Sequence, residues 1–252
     1  RVRIMSLKIE NFKKKKNRQK ITCLTAYSKS IAKILDNYCD LVLVGDSLAN
    51  VLYGMKNTHS LSLETIINHA KAVRLGIKKS LLVVDMPKNS YQKPLQAKKN
   101  AELIIKKTKC DAIKIENNPN NLKIVKYLIK SKFKVMGHIG YTPQFKKKFK
   151  VEGKNTKEQK KLLKHAKDLE KAGVFSIVLE CIAKETAQKI SKELKIPTIG
   201  IGSSMSCDGQ ILVTDDILGL SGFYPKFIKR YANLEKIIKT GVIKFQRDVR
   251  SK

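Results

Sequence analysis

Short, unbroken apolar runs alternate along the chain with longer amphipathic stretches, and this alternation dominates the sequence. Ile21–Thr25, Leu41–Val44, Leu81–Val84, Ala112–Ile115, Lys134–Met136, Phe175–Leu179 and a run from Pro197 through Ile201 each read as a strand. The intervening stretches carry apolar residues at helical spacing. They predict helices over Ser28–Asn37, Leu63–Leu75, Gln96–Lys107, Leu122–Lys130, Thr156–Lys171 and Ala183–Leu194. Ser62 is placed to cap the second of these, and Gly173 closes the fifth. Strands without a polar face are buried on both sides, as in parallel sheets covered by helices. An eighth unit is the faintest, with a strand over Gln210–Val213 and a closing helix over Leu234–Lys244. The pattern predicts seven or eight βα units, which build either a barrel or a doubly wound sheet.

The ends of the strands carry the chemistry. Asp46, Asp85, Glu116, His138 and Glu180 follow the second to sixth strands in turn. Asp alone is an ordinary turn residue, but five consecutive strand ends with polar or ionisable groups form a pattern. In a closed barrel all of them converge on one mouth, where barrel active sites lie. Asp46, Asp85 and Glu116 on adjacent strands would repel one another unless a cation or a proton intervenes. Oxygen-only donors favour a hard ion, with Mg2+ the default. Lys114 lies two residues before Glu116 and leaves the same strand face. It is either an edge lysine reaching water or an anchor for an anionic substrate. Glu180 ends an apolar strand, a setting that raises a carboxyl pKa and suits proton transfer. His138, flanked by Gly137 and Gly140, reads equally as a structural hydrogen-bonder or a ligand to substrate. Ile199–Ser204 resembles a glycine-rich phosphate loop only in part, for it lacks the P-loop lysine.

Composition narrows the setting. At 252 residues the chain has the length of one α/β barrel. No apolar run approaches the ~20 residues of a membrane span, and Arg1–Glu10 does not read as a signal peptide. Cys23, Cys39, Cys110, Cys181 and Cys207 are scattered without a CxxC pair. This argues against a disulfide framework or zinc site and for a reducing cytoplasm. The net charge of +32 comes from lysine spread through nearly every segment. A nucleic-acid-binding protein would instead cluster arginine and aromatics. The excess reads as compositional drift over solvated faces, with no nucleic-acid or membrane partner, and a basic nucleic-acid-binding protein stands as the alternative of another class.

The motifs then point to a family. Thr22–Tyr27 (TCLTAY), Val44–Leu48 (VGDSL), His69–Arg74 (HAKAVR), Asp85–Pro87 (DMP), Ile113–Glu116 (IKIE), Met136–Gly140 with Thr142–Gln144, Val178–Cys181 (VLEC), Ile196–Gly202, Asp208–Leu212 (DGQIL) and Pro225–Tyr231 occur in this order. Together they resemble the ketopantoate hydroxymethyltransferases. The resemblance implies a single (β/α)8 TIM barrel over residues 1–252, with a short N-terminal extension, of the phosphoenolpyruvate-mutase type. It implies a cytoplasmic, Mg2+-dependent transferase of pantothenate biosynthesis. Such an enzyme moves a one-carbon unit from 5,10-methylenetetrahydrofolate to 3-methyl-2-oxobutanoate. It further implies Asp46 and Asp85 as metal ligands, Glu116 on the metal or its water shell, and Ser47, Asp85 and Lys114 at the substrate. Asp46 and His138 are candidate substrate contacts beside them. Glu180 would be the proton acceptor, and the assembly a homo-oligomer, commonly a decamer. A lyase or mutase cleaving a C–C or C–P bond beside a 2-oxo acid shares the barrel and the acid trio and is the alternative. The chain departs from the family pattern at Ala49-Asn50, Lys88, Asn117-Asn118, Lys146–Phe149 and Ser203-Ser204. None of these removes a named chemical group.

Overall fold

The computed structural model describes residues 2–146, 148–222 and 227–251, with side chains described from Leu7 onward. Eight parallel strands close into a barrel in sequence order. They are β1 Ile21–Thr25, β2 Leu41–Val44, β3 Leu81–Asp85, β4 Ala112–Glu116, β5 Val135–Gly140, β6 Ser176–Glu180, β7 Thr198–Ile201 and β8 Gly209–Leu212. The eighth strand therefore exists where the sequence signal was faintest.

The helices begin with α1 Val2–Lys13, which the sequence pattern does not single out. Then come α2 Lys29–Leu35, the short α3 Leu48–Val51, α4 Leu63–Arg74, α5 Pro94–Thr108, α6 Leu122–Lys130, α7 Thr156–Ala172 and α8 Lys184–Glu193. Ser62 caps α4 by accepting from the Thr65 amide, and Gly173 ends α7 at φ 100°, a left-handed turn that suits glycine. Two compact units divide the chain at Ile211/Leu212. Within the second, α9 Thr214–Ile217 precedes α10 Leu234–Arg250, capped by Asn233 and longer than the sequence predicts. Pro225 and Lys226 of the PKFIKRY motif, and Lys147, lie outside the described residues.

Burial separates the two faces of each strand. Val42, Val44, Leu82, Val84, Ile113, Ile115, Ile177 and Leu179 pack outward into one core with the helices. Leu41, Leu43, Leu81, Val83, Ala112, Met136, Val178 and Ile199 form a second core inside the barrel. An eight-stranded barrel has just enough interior for side chains to fill it. The inner core also contains Ile9 and Phe12 of α1, and Phe12 meets Phe175 edge to face with centroids 5.8 Å apart. Helix α1 thus plugs the end of the barrel where the strands begin. Beside that plug, the Lys16 ammonium lies 2.7 Å from Asp208, which also accepts from the Thr198 amide and hydroxyl.

Candidate active site

The inward rows change character along each strand. With period 2, Leu81 and Val83 are followed by Asp85, Ala112 by Lys114 and Glu116, Met136 by His138, and Val178 by Glu180. Each row is apolar where the strand begins and ionisable where it ends. Parallel register aligns them: Asp85 pairs with Lys114, Glu116 with His138, and Gly140 with Glu180. The polar groups consequently share one mouth, opposite α1. Asp85, Glu116 and Glu180 are the last residues of their strands, whereas His138 lies within β5, which runs on to Gly140. The sequence had placed the end of that strand at Met136.

At the centre, the Lys114 ammonium lies 2.5 Å from Asp85 Oδ1, and Asp85 Oδ2 accepts from the Asp46 amide at 3.0 Å. Both side chains are buried. Burial raises the Asp85 pKa against the pull of Lys114, and the neighbouring Asp46 adds to the rise. Burial opposes the Lys114 charge, but Asp85, Asp46 and Glu116 outweigh it and hold the ammonium protonated. Lys114 is therefore an inward cation paired with an acid; the reading as an edge lysine fails. Glu116 is 1 % exposed, and its pKa stands well above the ordinary carboxyl range. Burial is the first cause, and Asp46 the second.

His138 stands between two acids. Its Nε2 is 3.1 Å from Glu180 Oε2, and its Nδ1 is 3.9 Å from Glu116 Oε1. Its backbone N–H donates to Asn117 Oδ1 at 3.0 Å. Glu180 is partly exposed at the mouth and so can meet a ligand while touching the buried ring. Ser47 lies at the rim, with its hydroxyl 2.8 Å from the Tyr27 hydroxyl.

Gln144, Tyr91 and Asn117, to which the sequence assigns no role, complete the site. Gln144 donates from its backbone to Glu116 Oε2 (2.9 Å) and from its side chain to Asp46 Oδ2 (2.9 Å) and Met86 O (3.2 Å). The Tyr91 hydroxyl donates to Gln144 Oε1 at 2.5 Å. Asn117 and Asn118 occupy two of the departures from the family pattern. Asn117 holds β5 through His138, and Asn118 caps the turn Pro119–Asn121. Only the TPQ motif match marked Gln144, because a neutral amide leaves no charge anomaly in the sequence. The Ile199–Ser204 segment is barrel wall, where a Cβ on Gly200 would meet Gln210 Nε2 at 2.9 Å and Ser203 donates to Leu179 O.

Among the described residues, no three His, Cys, Asp or Glu side chains converge into a ready metal cage. Lys114 is drawn to Asp85, and Gln144 ties Asp46 to Glu116. The donor chemistry nonetheless fits a hard divalent cation. Asp46, Asp85 and Glu116 offer buried carboxylate oxygens against one ammonium. Burial first, and the neighbouring Asp46 after it, raise the Asp85 and Glu116 pKa values, so a bound cation would favour their charged forms.

The family described as ketopantoate hydroxymethyltransferase matches residues 6–252. A 3-methyl-2-oxobutanoate hydroxymethyltransferase of Pelagibacter ubique is 55% identical over 245 residues, covering 97% of this chain and 95% of that protein. One of Anaplasma marginale is 45% identical over 249 residues, covering 98% and 90%. Among solved structures, a phosphonopyruvate hydrolase complex with oxalate and Mg++ superposes with a TM-score of 0.63 at 12% identity, covering 97% of this chain and 87% of that one. A phosphoenolpyruvate phosphomutase from Streptomyces platensis gives 0.64 at 10%, covering 98% and 88%. The two structures share the fold with this chain.

Proposed function

The chain belongs to the ketopantoate hydroxymethyltransferase family, and from that premise we propose that it hydroxymethylates 3-methyl-2-oxobutanoate with 5,10-methylenetetrahydrofolate, giving 2-dehydropantoate. The observation that carries the reaction type is the placement of Glu180. A partly exposed carboxylate, 3.1 Å from a buried imidazole, faces a buried lysine–acid centre across the mouth.

Asp46, Asp85 and Glu116 would hold Mg2+, which supplies Lewis-acid polarisation of the 2-oxo group when bound. The Lys114 ammonium has N–H donors beyond the one spent on Asp85, and these take the substrate carboxylate. Ser47, positioned by Tyr27, is the polar contact at the rim. The Glu180 carboxylate accepts the proton from C3, and the C–H electron pair moves into the C2–C3 bond and onto the C2 oxygen. The His138 ring lies beside the acceptor, with Nε2 3.1 Å from Glu180 Oε2. C3 then attacks the methylene carbon as one C–N bond of the donor opens. Release of the second C–N bond and addition of water give the hydroxymethyl group and tetrahydrofolate. The family setting favours a cytoplasmic homo-oligomer, which sedimentation of the pure protein checks.

The deciding experiment follows C3 deuterium exchange of 3-methyl-2-oxobutanoate by NMR. Exchange is expected with Mg2+ alone, without folate, and its loss is expected in EDTA. Exchange unchanged by exhaustive chelation would remove the metal from the reading. Complete absence of exchange and of hydroxymethylated product would remove the reaction.

A further inference from the structure

Beside the end of β3 lies a cavity of about 360 Å3. Pro87, Lys88 and Asn89 form one wall, and His59, Ser60 and Leu61 form part of the other. Lys88 follows Asp85 by three residues. His59 bonds through Nε2 to the carbonyl of Pro143 at 2.9 Å, and Pro143 precedes the Gln144 that ties Asp46 to Glu116. The cavity walls are thus joined to the acid centre through the chain, by Asp85 on one side and Gln144 on the other. The cavity is separate from the residues assigned above to the oxo acid and the metal.

The hydrogen bonds fix the protonation pattern in this cavity. A carbonyl only accepts, so His59 Nε2 carries a hydrogen. The Lys88 ammonium, 3.1 Å from Nδ1, only donates, so Nδ1 offers its lone pair. His59 is therefore a neutral ring that aims the ammonium without neutralising it. Among the described residues no carboxylate lies within 4.0 Å of Lys88. Other part-buried lysines are engaged differently. Lys16 meets Asp208 and Lys146 meets Glu152. Lys88 is half-buried, oriented and without an acid. Beside it are the buried Leu61 and Pro87 and the exposed Ser60 hydroxyl. Ser62, Asn89 and Asn100 also line the cavity, and one cation among hydroxyl and amide groups suits a carboxylate.

We propose that this cavity is the subsite for the glutamyl carboxylate of the one-carbon donor, with Lys88 as its charge partner and His59 as the residue that positions Lys88. The assignment rests on the folate-dependent reading given above and deepens it.

The test compares tetrahydrofolate with tetrahydropteroate, which lacks the glutamate, in calorimetric titrations of the whole enzyme. Wild type is expected to bind the glutamylated compound about tenfold more tightly, the scale of one charge-assisted hydrogen bond. K88Q is expected to erase that preference, and K88R to keep it. An unchanged KM for the oxo acid in K88Q would show that its centre is intact. Survival of the preference in K88Q, or no preference in wild type that turns over, overturns the subsite alone. If wild type binds neither compound and forms no hydroxymethylated product, the folate reading falls and takes the subsite with it.

Discussion

The two ends of the barrel each bury a lysine–aspartate pair, and they differ in how far the pair is satisfied. At the plugged end, Asp208 receives Lys16, the Thr198 amide and the Thr198 hydroxyl, while Lys16 also donates to Ser191 O. At the mouth, Lys114 meets Asp85 alone, with Asp46 close enough to disturb the ionisation of both and Glu116 that of Lys114. A well-partnered pair fixes structure, because several further hydrogen bonds hold it in place. An unsaturated one keeps binding capacity for a ligand, at a cost in electrostatic repulsion.

Four substitutions break or sharpen that contrast. The largest effect belongs to Glu180→Gln, which removes the proton acceptor and leaves shape unchanged. C3 exchange and turnover should fall by about 10²–10⁴, with oxo-acid binding retained in a titration. Full exchange in this variant would end the assignment. Next, Lys16→Met at the plugged end leaves Asp208 without its cation. Stability should drop by roughly 3 kcal/mol, read by denaturant unfolding, while activity per folded molecule stays at the wild-type level. Loss of activity without loss of stability would show that the two ends are not separate. Third, Gln144→Ala releases Asp46, while the backbone bond to Glu116 stays. Mn2+ affinity measured by calorimetry should weaken about 10–100-fold, as for other residues that orient metal ligands. An unchanged affinity would leave Gln144 a packing residue.

The smallest effect is pH-dependent and concerns Glu116. Its folded pKa is raised, first by burial and then by Asp46. The folded state therefore holds this proton more tightly than the unfolded chain. Stability from the group is full below the unfolded carboxyl range and is lost as pH rises through the folded value. In EDTA, Glu116→Gln should melt above wild type at pH 8, and the gap should close as pH falls toward 4. A gap constant across that range would mean that Glu116 carries no such proton.

Much of the barrel was legible because parallel strands buried on both sides are uniformly apolar, and each such run became a strand. Their polar ends marked the mouth for the same reason: Asp85, Glu116 and Glu180 interrupt runs that otherwise avoid charge. Helix α1 was not legible. Its contribution is the insertion of Ile9 and Phe12 into the barrel floor, a tertiary contact that lysine-rich local sequence does not announce. The extension of β5 to Gly140 was hidden by Gly137 and His138, which read as a strand end until the neighbouring strands supply partners. Tyr91, Asn117 and Gln144 escaped because uncharged hydrogen-bonding groups look the same in a turn as in a site. The pairing of Lys88 with His59 joins residues 29 apart, a distance no local pattern spans.

The alternation along β4 turns that strand into a ruler of fixed length. Insertion or deletion of a single residue between Ala112 and Glu116 would rotate everything beyond it by half a period. Lys114 and Glu116 would swing into the oily layer beneath the helices, and Ile113 and Ile115 would enter the mouth. Length variation in descendants of this gene should therefore collect in the connections between strands and helices, and be absent from the five positions of β4.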